Sequence, residues 1–145
     1  MIAFDTSVRI DAPLEDVFAY VSDPRTFPSW NSAVEEVRPI VGSGEVGSTY
    51  SMIRQLPTGR AGNELEVVGR ERPHEFSVGA GAGPTPFLYR YRFTGTNGTT
   101  VVRLDAQVEL PGAAAALPQL ARRAVKRGVD HNLATLKVIL ERGAR

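Results

Sequence analysis

The chain has 145 residues, 42% of them hydrophobic and 23% charged, with a net charge of +1 at neutral pH. That length suits one domain able to bury ~68% of its unfolded surface, and so small a net charge gives no electrostatic pointer to nucleic acid or to an acidic partner. Cysteine is absent, which excludes disulfides, thiolate metal sites and thiol nucleophiles.

The opening "MIAFDTSVRIDAP" has neither a basic region nor a long apolar run, so it does not read as a secretion signal. No apolar stretch approaches the ~18 residues a membrane span needs. The expectation is one domain over residues 1–145 in a cytoplasmic protein. Ile2, Phe4, Thr6, Val8 and Ile10 alternate with Ala3, Asp5, Ser7 and Arg9, the period of a half-buried strand. "DAPLEDVFAYV" then changes period: Asp11 is placed to cap a helix, Pro13 suits its start, and Glu15 and Asp16 favour its N-terminus. "SDPRTFPSW" holds only a short second helix, because Pro24 and Pro28 interrupt helical hydrogen bonding.

From Ser32 to about Pro111 the chain reads as six strands: "AVEEVRPIV", "GSTYSMIRQL", "GNELEVVG", "HEFSVGAG", "FLYRYRFTG" and "TTVVRLDAQVEL". Gly- and Pro-rich turns separate them, and short turns imply antiparallel neighbours. Asn97-Gly98 is a hairpin signal, since both residues tolerate positive φ. A long helix is expected from about Ala114 to Arg142, with Pro118 near its start.

Four segments carry a resemblance over nearly the whole chain: "VRIDAPLEDVFAYVSDPRTFPSW", "VGSTYSM", "VVGRERPHEF" and "NLATLKVILE". In this order and spacing they resemble the START-like, or SRPBCC, superfamily, which includes polyketide cyclase/dehydrase-like proteins, pollen allergens and lipid-transfer domains. The resemblance implies an α+β helix-grip fold. A curved antiparallel sheet of about seven strands would wrap a long C-terminal helix, with two short helices after the first strand and a hydrophobic cavity between sheet and helix. It implies no one activity, because a shared shape hosts unrelated functions.

On that fold Phe27 and Trp30 wall the cavity or plug the core where the short helices meet the sheet; a Trp buries a large apolar area either way. Tyr50, Met52 and Arg54 share one strand face. Arg54 reads as a rim residue snorkelling to solvent; the alternative has it meet a carboxylate or enolate. Phe87, Tyr89, Tyr91 and Phe93 share an aromatic face whose tyrosine hydroxyls reach either the cavity or water at the rim. On the long helix the small residues Ala124 and Gly128 and the polar Asn132 interrupt a wide apolar arc that implies a helix gripped on most of its girth. Gly128 there accommodates close packing or a ligand. Asn132 bonds to a strand, to the lip or to a ligand, since a buried amide needs a partner.

His74 follows Pro73 in a turn and His131 lies at the edge of the helix's arc, and neither sits in a triad pattern. Two separated histidines and no cysteine are too few for a transition-metal site, and "GAGAGP" does not open a helix as a phosphate-binding loop would. No metal or cofactor is expected, nor a nucleic-acid partner. The oligomeric state, monomer or homodimer, stays open.

The first functional expectation is a binding module for a hydrophobic or aromatic small molecule, contacted by Phe27, Trp30, Tyr50, Met52, Tyr89, Tyr91, Gly128 and Asn132. The second is an enzyme resembling polyketide cyclases or dehydrases, with Tyr89 or Tyr91 as acid, Arg54 as enolate stabiliser and Asn132 as positioner. The third is a protein-interaction or chaperone role.

Overall fold

A computed structural model describes residues 1–56, 59–83, 85–110 and 112–143, with the side chain of Ala113 excluded. The elements are β1 (Ile2–Ile10), α1 (Leu14–Val21), a 3-10 turn (Pro24–Thr26), α2 (Phe27–Trp30), β2 (Val34–Val41), β3 (Thr49–Leu56), β4 (Gly59–Glu71), β5 (Glu75–Ala80), β6 (Phe87–Thr96), β7 (Thr99–Val108), a 3-10 turn (Gly112–Ala116) and α3 (Pro118–Gly143). The seven strands form one antiparallel sheet in the order β1-β7-β6-β5-β4-β3-β2. The α+β helix-grip architecture is as expected: curved open sheet, two short helices after the first strand, long C-terminal helix. Among the described residues no helix is long and apolar enough to cross a membrane.

The period-two pattern of β1 resolves as expected. Ile2, Phe4 and Ile10 are buried on the inner face, with Thr6 and Val8 half-buried between them. Asn97 and Gly98 adopt φ of 52° and 79° and turn β6 back onto β7, the geometry a tight hairpin requires. Asp11 does not cap α1. Pro13 occupies the cap position without a side-chain bond, and Asp11 instead accepts a hydrogen bond from Thr99 Oγ1. Glu15 and Asp16 do lie in the first turn, and Val17, Phe18 and Val21 bury its inner side.

The long helix departs from expectation in two ways. It starts at Pro118, not near Ala114, and a 3-10 turn fills Gly112–Ala116; proline lacks an N–H and is at home in a first helical turn. Nor is it gripped on most of its girth. Val129, Asn132, Leu133, Leu136 and Leu140 are buried, none of them before Val129, while Leu117 and Leu120 are 62% and 64% exposed. The helix runs beside β1 in the same direction. Arg122 donates to the Ala3 carbonyl, Thr6 Oγ1 donates to Asp130, Lys137 donates to the Arg9 carbonyl, and Glu141 accepts from the Asp11 N–H. Its loosely covered N-terminal half therefore lies at the strand ends that carry Ile2, Val108 and Phe87, which pair across β1, β7 and β6.

The core lies between sheet and helices. Phe18, Phe76, Phe93, Met52, Leu65, Leu104, Leu133 and Leu136 are among its largest fully buried side chains. Phe18 meets Phe93 edge to face at 5.4 Å, an arrangement that adds ~0.5–1.5 kcal/mol to burial alone.

Candidate functional site between the sheet and the long helix

Alternation along β6 sends Tyr91 and Phe93 into the core and leaves Phe87 and Tyr89 half-buried toward the strand's start. The lip supplies two further rings. Phe27 and Trp30 pack edge to face at 5.5 Å, and Trp30 meets Tyr91 at 6.3 Å. Tyr91 meets Tyr89 at 6.5 Å, and Tyr89 meets Phe87 at 4.9 Å. An aromatic row thus runs from the lip along the inner face of β6 to the end beneath the start of α3.

Arg54 stands at the far end of that row, and the rim reading of it is corrected. It is only 8% exposed, held inward and not extended along the rim. Its Nε and one terminal nitrogen donate to Asn63 Oδ1 at 3.0 and 2.6 Å, and it donates to the Thr85 carbonyl at 3.2 Å. Its guanidinium lies 5.0 Å from the centroid of Phe87, a cation–π contact. Asn63, inward-facing as its place in β4 implies, also donates to the Ala82 carbonyl at 3.1 Å. Arg54 and Asn63 thereby join β3 and β4 to the β5–β6 connection. No role for Asn63 is readable from the sequence, because its partners are set by cross-strand diagonals and a loop carbonyl.

The tyrosine hydroxyls are the chemically open groups. Tyr91 is 3% exposed and Tyr89 is half-buried, yet neither hydroxyl bonds to a described residue. No sealed side-chain nitrogen or oxygen lacks a partner among the described residues. It follows that each hydroxyl retains some accessible surface while its ring packs in protein. Burial raises the pKa of both tyrosines, strongly for Tyr91; at Tyr89 the Arg54 charge works against the rise without reversing it. Both therefore hold their protons at neutral pH.

Asn132 takes the structural role. Its Oδ1 accepts from the Ser32 N–H at 3.1 Å and from Ser32 Oγ at 3.3 Å, and its Nδ2 donates to Asn31 Oδ1 at 3.1 Å. The amide ties α3 to the chain just after α2, holding Trp30 over Tyr91. Trp30 is 3% exposed and its Nε1 donates to Thr26 Oγ1 at 3.3 Å. Met52 is buried in the core. Gly128 is exposed, like Ala124, with nothing within 4 Å of a Cβ built on it; the packing explanation for this glycine does not hold. Tyr50 faces inward but lines a separate groove beside α1. The structure thus brings together Phe27, Trp30, Tyr89, Tyr91 and Arg54, and sets Tyr50 apart.

His74 is exposed, with Nδ1 3.2 Å from the Phe93 carbonyl, and His131 is exposed on α3. Among the described residues no three or more His, Cys, Asp or Glu side chains gather where they could hold a metal ion.

The family model described as "Polyketide cyclase / dehydrase and lipid transport" matches residues 1–141. Among solved structures, TTHA0849 from Thermus thermophilus superposes with a TM-score of 0.83 at 15% identity, over 99% of this chain and 100% of that one. A START superfamily protein from Mycobacterium smegmatis gives 0.78 at 15% identity, over 97% of each chain. The di-domain ARO/CYC StfQ of the steffimycin biosynthetic pathway gives 0.77 at 15% identity, over 99% of this chain and 51% of that one. At these identities the likeness speaks for the fold. No curated protein matches the chain in sequence.

Proposed function

The chain belongs to the family of polyketide cyclases, dehydrases and lipid-transport proteins, and on that premise we propose that it binds a hydrophobic, aromatic small molecule between the sheet and the N-terminal half of α3. The observation that carries this reading is the pair of unbonded tyrosine hydroxyls on a buried aromatic row. Ligand sites are apolar enclosures with a few placed polar groups. Here the rings of Phe87, Tyr89, Tyr91 and Trp30 supply the apolar wall, and two protonated hydroxyls supply donors. The exposed, loosely packed start of α3 supplies a way in.

The test uses 2-naphthol as probe and Trp30, the only tryptophan, as reporter. Binding in the micromolar range is expected, with Tyr91→Phe and Tyr89→Phe each weakening it by up to about 10-fold, the value of one neutral hydrogen bond. Unchanged Trp30 emission and unchanged Tyr89 and Tyr91 amide signals at ~1 mM probe would count against the site.

A cyclase- or dehydrase-type reaction is the second reading, favoured by the proximity of proton-holding tyrosines to the buried Arg54 cation. In it a poly-β-ketone would fold against the aromatic row, with orientation supplying much of the rate. A tyrosine would donate the proton and the Arg54 field would stabilise the enolate. Turnover of a poly-β-ketone mimic should then fall about 10²–10⁴-fold in the Tyr→Phe variant that removes the acid. Turnover that survives both substitutions would eliminate this mechanism.

A further inference from the structure

A second groove, beside α1, is assigned no role by the family or by the reading above. Its volume is about 430 Å³, and it lies between α1 with the turn after it and the β2–β3 connection. That volume is within the ~300–1,000 Å³ range of small-molecule pockets. Tyr50 lines it from β3, four residues and so ~13 Å along the strand from Arg54.

Its key cation is placed by a backbone irregularity. The β4–β5 register shifts between Val67 and Gly69, so one extra residue breaks the alternation and turns Arg70 to the inner face opposite Phe76. Bulges of this kind re-aim side chains. The Arg70 guanidinium lies 5.3 Å from the Phe18 centroid and donates to the Gly44 carbonyl at 3.1 Å. Its neighbours in the groove are already committed. Arg25 is paired with Asp23 at 2.8 Å and Arg72 with Glu15 at 3.4 Å, and Glu45 accepts from Ser43. Asp23 feels the Arg70 charge, but both its oxygens are taken by Arg25. No carboxylate of the described residues pairs with Arg70.

A second donor converges on it. Tyr50 is 5% exposed, its hydroxyl bonds to no described residue, and by the reasoning applied to Tyr91 the tip is open to the groove. Burial raises its pKa, so it too keeps its proton. Gly44, at φ +113°, lies beside both donors without a side chain: a Cβ there would sit 3.5 Å from an Arg70 terminal nitrogen and 4.0 Å from Tyr50 Oη. Ala19 and Pro39 provide apolar wall beside them.

We propose that this groove is a second ligand site, for a small aromatic carboxylate held by Arg70 and the Tyr50 hydroxyl. A carboxylate accepts both donors, and its charge meets a guanidinium that no acidic side chain pairs with. The aromatic body lies along Ala19 and Pro39. The pair of donors, a cation with a protonated phenol, favours an anion over a neutral ligand of the same shape.

The experiment is an amide chemical-shift titration of the full chain with 3-phenylpropionate, beside 3-phenylpropanamide and inorganic phosphate, to ~10 mM. Shifts of the Ser22, Gly44, Tyr50 and Arg70 amides with the acid, and none there with the amide, are expected. Arg70→Gln should weaken binding about 10–100-fold. Tyr50→Phe, which keeps the ring and the fold, should weaken it up to about 10-fold. No shift at these amides, equal binding of the amide, or unchanged affinity in a folded Arg70→Gln protein would overturn the proposal. Phosphate shifting the same amides as strongly as the acid would overturn the aromatic-carboxylate assignment. Tyr89 and Tyr91 amides shifting in place of the groove's would assign the acid to the other site.

Discussion

Asn132 is a single side chain that joins the lip to α3 through three hydrogen bonds. Asn132→Leu keeps approximate size and deletes them all, leaving the Ser32 N–H and hydroxyl to find other partners, while Asn31 Oδ1 keeps its bond from the Ala33 N–H. The expected loss is about 1–3 kcal/mol, read as a lower urea midpoint, together with faster acrylamide quenching of Trp30 as the lip loosens. An unchanged midpoint would mean the amide does not hold the lip. The inward position of Asn132 was legible from its place in the helix's apolar arc, but its choice among strand, lip and ligand was not, because Ser32 lies 100 residues away. Arg54 and Arg70 show the same limit. The first sits on a face read correctly from alternation, yet its burial depends on Asn63 and Thr85, which only the pairing of strands brings near. The second owes its inward aim to a register shift that alternation alone does not announce.

At the scale of the element, α3 divides into a clamped half and a loose half. Leu133 and Leu136 are 2% and 0% exposed, whereas Leu117, just before the helix, and Leu120 lie open. Leu133→Ala and Leu136→Ala should each destabilise by about 2–5 kcal/mol, while Leu120→Ala should stay within about 0.5 kcal/mol. Amides of the first turns should exchange faster than those beyond Val129, because few buried contacts oppose their opening. Equal cost for Leu120 and Leu133 in urea unfolding would contradict this division. Sequence periodicity marked the helix and most of the strands because hydrophobic spacing reports local geometry. It overestimated the helix's covered arc because Ala124 and Gly128, placed on it, are exposed, and a folded surface routinely retains apolar side chains.

Across the whole molecule, pH sets opposing limits on stability. Hydrogen bonds from Arg25 hold Asp23 below the ordinary carboxylate value despite burial. Burial tends to raise Asp130, but bonds from Lys126 and Thr6 outweigh it and the net shift is downward. Carboxylates lowered by folding contribute stability above their unfolded pKa of ~4, and it is lost as pH falls through their folded values. The tyrosines act in the other direction. Burial raises Tyr50, Tyr89 and, most strongly, Tyr91. Above the unfolded tyrosine pKa of ~10 the unfolded chain releases protons that the folded chain keeps, so unfolding becomes more favourable as pH rises. Each shielded tyrosine should steepen the alkaline loss by up to about 1.4 kcal/mol per pH unit. Urea unfolding of wild type and Tyr91→Phe between about pH 9 and 11 isolates that contribution, because other titrating groups are common to both proteins. The variant should lose stability less steeply, while both fall alike on the acid side. Parallel alkaline slopes would mean that the Tyr91 hydroxyl ionises as readily in the folded protein as in the unfolded chain, and that burial of its ring does not shield it.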